Sequence, residues 1–217
     1  TWAGRAEAMT RGEAMTLTFG SLFAGIGGAD LGFERSGMVC RWQVEKNAFC
    51  RRVLAKHWPD VRRHDDVRTF PPEGTAPDDR GVDGIFGGDP CQENSRARIT
   101  SGTRSPSLGH ELVRVVDVLR PRVVVRENPT RVRRDAPWPW WRMRAALEGL
   151  GYVVLPFRLR ACCFGAIHQR DRLFLLAALP DANGVGLRGE GRTAADGPAA
   201  TGEGADRQRQ RVRADVR

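Results

Sequence analysis

Between Leu17 and Leu179, short apolar runs alternate with segments of helical period, and this alternation constrains the fold more than any other feature of the sequence. The runs LTFGSLF, VCRWQVE, VDGIFGG and RVVVRE are rich in β-branched and aromatic residues and short enough for strands. A further short strand is expected within VRRHDDVRTF. Between the strands, ADLGFERSG, NAFCRRVLAKHW and SLGHELVRVVDVLR read as helices stopped by Gly37, Pro59 and Pro121. In the last of these, Leu108, Leu112, Val115, Val116 and Leu119 share one face. After the Trp-rich DAPWPWW, the segment WRMRAALEGLG predicts another helix with a glycine stop, and YVVLPFRLRAC and RLFLLAAL predict a terminal antiparallel strand pair. Strands alternating with helices predict an α/β fold, a doubly wound and mostly parallel sheet with helices on both faces. Runs such as VVV, which do not alternate, fit strands buried on both sides.

At 217 residues the chain accommodates one domain with a real core. Residues 1–15 read as an N-terminal extension, 16–179 as the folded domain and 180–217 as a polar linker or disordered tail, because the last segment has few large apolar residues to offset its ordering entropy. No apolar run reaches the roughly 18 residues that span a bilayer. The five cysteines, Cys40, Cys50, Cys91, Cys162 and Cys163, show no CxxC spacing, which argues against a disulfide framework and against a zinc site. Reduced thiols fit the cytoplasm. The net charge of +9 suits a polyanionic partner such as nucleic acid. Nearly all the cations are arginine, with lysine only at Lys46 and Lys56, a bias that a GC-rich genome also produces, so charge alone leaves both readings open.

Polar residues suited to chemistry stand where the strands are expected to end. Phe23, Ala24, Gly25, Ile26, Gly27 and Gly28 form a glycine loop after the first strand, where the backbone turns tightly and a ligand approaches closely. Glu45 stands about 20 residues past that loop, where a carboxylate accepts both hydroxyls of a ribose. Asp66, after the third strand, could accept from an exocyclic adenine amine. Cys91 follows Pro90 on the loop after the fourth strand, which is a place for presentation rather than packing, and Arg96 and Arg98 nearby favour its thiolate. Glu127 ends the fifth strand beside it. In HQRDR, Arg170 and Arg172 are two residues apart and point to one side of a strand, within reach of a phosphate or a pyrimidine oxygen.

The order and spacing of FAGIGG, Glu45, Asp65-Asp66, Pro90-Cys91-Gln92, Glu127-Asn128 and QRDR resemble the C5-cytosine DNA methyltransferase family over about Leu17 to Leu179. The resemblance implies the Rossmann-like sheet of S-adenosylmethionine-dependent methyltransferases. It also implies that Phe23 to Gly28, Glu45, Asp66 and Pro90 hold S-adenosyl-L-methionine. In this scheme Cys91 attacks C6 of a cytosine flipped out of double-stranded DNA, and Glu127 serves the ring nitrogen N3. Arg172 contacts the cytosine carbonyl and Arg170 supports the loop, and no metal takes part. The protein is then expected in the cytoplasm, at the nucleoid when bound to DNA.

The sequence departs from the family pattern at Asp89, where proline is usual, at Gln92-Glu93-Asn94-Ser95, at Pro129, and at Lys46, where an aromatic residue often stacks on adenine. An anion at Asp89 raises the thiol pKa of Cys91 unless it points away or pairs with arginine. The family's target-recognition region and its closing GN segment have no counterpart after Leu179, so a second chain carrying target recognition is one expected partner. Two other readings stay open: a related transferase acting on RNA cytosine or carrying a different group from a modified sulfonium, and a non-catalytic or split-subunit remnant.

Overall fold

The computed structural model describes residues 16–72, 81–90, 108–130 and 139–180. Seven strands, β1 (Thr18–Leu22), β2 (Val39–Val44), β3 (Arg62–His64), β4 (Gly84–Gly87), β5 (Val123–Pro129), β6 (Val153–Arg160) and β7 (Asp171–Ala178), form one sheet in the order β3-β2-β1-β4-β5-β7-β6. The first five pair in parallel, and β7 runs antiparallel to both β5 and β6. The helices are α1 (Gly28–Arg35), α2 (Ala48–His57), α3 (Gly109–Leu119) and α4 (Trp140–Gly149). The expected doubly wound, mostly parallel sheet is therefore present, with its terminal antiparallel pair.

The sequence did not reveal that β7 inserts between β5 and β6. The physical reason lies in the two strands themselves. β6 carries Pro156 and is largely exposed, as an edge strand tolerates. The proline-free β7, with Leu175 and Ala177 fully buried, can be hydrogen-bonded on both sides.

Two glycines set how closely the layers approach. At Gly20, in the middle of β1, an added Cβ would lie 2.0 Å from an indole carbon of Trp42. The indole crosses the strand there and packs against Phe70, with ring centroids 4.5 Å apart. At Gly87, on β4, a Cβ would lie 2.4 Å from Cδ1 of Leu112, so α3 rests directly on the strand. The predicted face of α3 holds, with Leu112, Val115 and Val116 buried and Leu108 and Leu119 partly so. Val113 is buried as well because α4 covers that side of the helix.

The opposite face is covered unevenly. Phe33 of α1 packs on Phe19 and Phe86, with centroids 5.2 and 5.7 Å apart. Residues in register across β4, β5, β7 and β6 continue that face as the row Phe86, Val125, Leu176, Leu155, and beside it Glu127, Phe174, Phe157. Among the described residues no helix lies over its β5-β7-β6 part, where Val123, Val153, Leu155 and Phe157 are all exposed. Helices on both faces are thus found over only part of the sheet.

Replacing Gly20 with alanine forces the indole of Trp42 out of its site. The expected cost is about 1–3 kcal/mol, a fall of roughly 2–10 °C in melting temperature for a domain of this size. Thermal denaturation followed by circular dichroism checks this, and an unchanged melting temperature would contradict the packing described.

Candidate active site

Because β1 to β5 are parallel and the order reverses beside β1, every loop that follows them leaves from one edge of the sheet, at the β1/β4 switch point. The glycine loop is built from left-handed backbone: Phe23 has φ 57°, Gly25 φ 57° and Gly27 φ 86°. At Gly27, the residue capping α1, a Cβ would also lie 2.3 Å from the ring of Trp58. A Phe in the left-handed region is uncommon and marks a locally held conformation. Glu45 holds the loop. Its Oε2 accepts from Gly25 N at 2.8 Å and its Oε1 from Asn47 N at 2.7 Å. Asn47 in turn caps α2, accepting from Phe49 N and Cys50 N.

Beneath the loop lies Asp30, a residue that the sequence reading missed. α1 was expected to bury an apolar stripe, yet Leu31 is exposed and Asp30 is fully buried. Its carboxylate accepts from Ser21 Oγ at 3.1 Å and from Gln43 Nε2 at 2.9 Å. Burial pushes the Asp30 carboxyl above its ordinary range. Burial, followed by the Asp30 charge, pushes the Cys40 thiol far above its own. The available signal was the set of polar residues at inward positions of β1 and β2: Ser21, Cys40 and Gln43.

A cleft of about 590 Å³ opens beside Glu45, lined among others by Phe23, Asp66, Val67, Pro90 and Leu108. Asp66 caps a short 3-10 turn at Val67–Thr69 and is gripped by the Arg68 guanidinium, with Nε 2.9 Å from Oδ1. Lys46 Nζ stands 3.7 Å from Oδ2. The Arg68 hydrogen bonds above all hold the Asp66 carboxyl well below the usual range. Both carboxylates expected at a cofactor thus meet in one cleft, although Asp66 already has cationic partners. Trp42 is not among the lining residues and belongs to the core.

A second cleft, about 710 Å³, adjoins the first at Phe23 and Gly88. Gly28, Glu127, Arg170, Arg172 and Phe174 line it. The Arg172 guanidinium is ion-paired with Glu127 through Nε and Oε1. A Cβ at Gly88 would lie 3.5 Å from Glu127 Oε2, in ordinary contact with that carboxylate. Arg170 and Arg172 enter the same cleft, as their two-residue spacing predicts.

Cys91, Arg96 and Arg98 lie outside the described residues, as do Gln92 to Ser95, residues 1–15, residues 181–217 and Trp138. Asp89, two positions before Cys91, is buried, and Arg126 holds it with Nε to Oδ1 at 2.6 Å and a terminal guanidinium nitrogen to Oδ2 at 3.0 Å. Of the arrangements weighed from sequence, the one with Asp89 paired to arginine is present. Trp140 packs against the core and Trp141 lies edge-on to it at the surface.

The profile of the C-5 cytosine-specific DNA methylase family matches residues 17–199. The chain is 31% identical over 170 residues to the type II methyltransferase M2.BsuMI of Bacillus subtilis (strain 168), covering 73% of this chain and 41% of the relative. It is likewise 31% identical over 170 residues to M1.HphI of Haemophilus parahaemolyticus, covering 75% and 46%. Among solved structures, a protein from an E. coli prophage described as a DNA modification methyltransferase aligns with TM-score 0.63 at 27% identity over 76% of this chain and 47% of that one. The DNMT2 of Spodoptera frugiperda aligns with TM-score 0.59 at 18% identity over 83% and 56%, a likeness of fold alone. The fold is that of the S-adenosylmethionine-dependent methyltransferases. The chain belongs to the C-5 cytosine-specific DNA methylase family and spans less than half the length of M2.BsuMI and M1.HphI. No helix among the described residues is long and apolar enough to cross a membrane.

Asp30 has a pH consequence. Its carboxyl is raised in the folded state, so its contribution to stability is fully present below the ordinary carboxylate pKa and is lost as pH rises through the raised value. Asp30→Asn keeps the bond from Gln43 and removes the ionisation. Melting temperatures measured from pH 4 to 8 should decline less for the variant than for the parent over that range. A steeper decline in the variant would contradict the raised carboxyl.

Proposed function

We propose that residues 16–179 form the catalytic unit of a DNA (cytosine-5-)-methyltransferase that uses S-adenosyl-L-methionine and works through a covalent adduct at Cys91. The observation that carries this reading is the Glu127–Arg172 pair at the end of β5, in a cleft that adjoins the Glu45 cleft at Gly88, three residues before Cys91.

The cofactor fits the residues present. Gly25 and Gly28 have nothing within 4 Å of where a Cβ would project, so the loop offers backbone and open space to a ligand. Glu45 is positioned for a ribose diol, each of its oxygens keeping a lone pair beyond the backbone bond it accepts. Val44, Val67, Pro90 and Leu108 supply apolar surface for a purine, and Asp66 a polar group beside it. S-adenosylmethionine, when bound, supplies a methyl group made electrophilic by its sulfonium.

The chain's own residues prepare the base to accept that group. A cytosine stacked in a duplex is out of reach, so the base enters the second cleft flipped out. The Cys91 thiolate forms a bond to C6, and the ring π electrons move toward C5. Glu127 holds a proton at N3, which keeps the ring from accumulating charge. The Arg172 guanidinium, beside Glu127, is shared with the base carbonyl oxygen, and Arg170 stands behind it. Once C5 carries the methyl group, loss of the C5 proton to a base expels the Cys91 sulfur, the N3 proton returns to Glu127, and the ring is restored. The net charge of +9 suits a polyanion, and the match to the DNA methylase family favours double-stranded DNA as that polyanion, in the cytoplasm at the nucleoid. The open apolar sheet face supports a second chain that carries target recognition.

The test is transfer of isotope-labelled methyl groups to duplex DNA, read as 5-methylcytosine after digestion, with the chain alone and with a candidate second chain. Cys91→Ala should abolish transfer, and Glu127→Gln should lower it by about 10²–10⁴-fold, the usual worth of a positioned acid. Labelling of RNA cytosine without labelling of DNA would overturn the substrate. Undiminished transfer by Cys91→Ala would overturn the mechanism.

Glu45→Gln tests the cofactor cleft separately. A neutral amide presents a donor where one backbone N–H or ribose hydroxyl needs an acceptor, a loss of about 1–3 kcal/mol for a buried polar group left unpaired. Calorimetry with S-adenosylhomocysteine should show binding weakened by roughly 5- to 100-fold, and unchanged affinity would contradict this role.

A further inference from the structure

Asp89, Arg126 and Asn128 form a polar cluster that the chemistry above does not use. The side chains of Asp89 and Arg126 are only 3% and 2% exposed, although they form an acid–guanidinium pair. The guanidinium meets the carboxylate with two parallel bonds, 2.6 and 3.0 Å long. Asn128 Nδ2 adds a third at 2.9 Å to Oδ1 and reaches the Asp89 carbonyl at 3.5 Å. Two ions with this little solvent add little net stability over apolar residues of the same volume, because desolvation offsets their attraction. What such a pair does supply is direction, since the planar fork of arginine fixes a carboxylate in distance and in plane.

The placement of the cluster gives that direction a use. β4 and β5 are parallel neighbours, with Gly87 opposite Arg126. Arg126 and Asn128 flank Glu127 in the strand and point to the face opposite it. Asp89 immediately precedes Pro90 and Cys91. One carboxylate is therefore gripped from both sides of the proposed acid and lies two residues from the proposed nucleophile.

We propose that Asp89 and Arg126 are positioning residues: a buried clamp, completed by Asn128, that sets the separation between the Cys91 sulfur and the Glu127 carboxyl. The clamp joins the turn after β4, which leads in sequence to Cys91, to the end of β5, which carries Glu127. It also pairs the anion that the sequence places two positions before the thiol. This inference rests on the pairing of Cys91 with Glu127 in the proposed function.

The experiment reads proximity and needs neither DNA nor activity. In the full chain with Cys50, Cys162 and Cys163 changed to serine, Glu127→Cys puts a second thiol at the end of β5, and a short bis-alkylating reagent, dibromobimane, bridges it to Cys91 when the two are near. The bridged peptides are quantified by mass spectrometry. Arg126→Met leaves a buried carboxylate without its partner and can fail to fold, so the decisive variant is Asp89→Leu with Arg126→Met, which removes both charges together.

With the clamp intact, bridging should be rapid. In the double variant it should slow by about tenfold or more, while single alkylation of Cys91 by iodoacetamide and the melting temperature stay near those of the clamped protein. Bridging at the intact rate in the folded double variant would overturn the clamp and leave the proposed chemistry standing. Absence of bridging in the clamped protein, with both thiols singly alkylated, would overturn the pairing of Cys91 with Glu127 and the clamp with it.

Discussion

Parallel pairing around β1 is the constraint on which everything else depends. β1 has β2 on one side and β4 on the other, all running the same way, so the segments that follow β1, β2, β4 and β5 must emerge together. The first three of those segments begin with the glycine loop, Glu45 and Gly88, and Glu127 stands two residues before the end of β5. A chain with this strand order therefore gathers the glycine loop, Glu45, Gly88 and Glu127 at one end of the sheet before any of them has a role. The close layers at Gly20 and Gly87 keep the strands in place.

Carboxylates then fix the details. Glu45 ties the loop after β1 to the end of β2, Asp30 ties α1 to both strands, and Asp89 ties β4 to β5. At the far end of the sheet Asp83 accepts from both the N–H and the hydroxyl of Thr18. A buried carboxylate without donors would be costly, but each of these has at least two. Hydrogen bonds of this kind restrict geometry in a way that apolar contacts do not, and so they cluster where loops must be held for chemistry. The remaining rigidity comes from the apolar layer of α3 and α4 behind the sheet.

Much of this was legible in the sequence, for physical reasons. The period of each segment gave the elements, because buried parallel strands and amphipathic helices leave different spacings of apolar residues. The residues at strand ends gave the two clefts, since the parallel sheet brings those ends together. Other features were hidden because they depend on partners distant in sequence. The insertion of β7 turns on which of two apolar strands tolerates an edge. The burial of Asp30 depends on Ser21 and Gln43 from two strands, which the amphipathic pattern of its own helix does not show. The grip of Arg126 on Asp89 spans 37 positions, so neither residue shows the other in the sequence. The Arg68 and Lys46 contacts to Asp66 were likewise invisible in a pattern that identified only the acid.

The account stands on one sulfur adding reversibly to a pyrimidine beside the end of β5. The most direct measurement is to trap that adduct on duplex DNA containing 5-fluorocytosine in the presence of the methyl donor, digest the complex with protease, and locate the modified peptide by mass spectrometry. The nucleotide should be found on the peptide that contains Cys91. A nucleotide carried by the peptide of Cys162 and Cys163, or a stable complex with no covalent bond at Cys91, would contradict it.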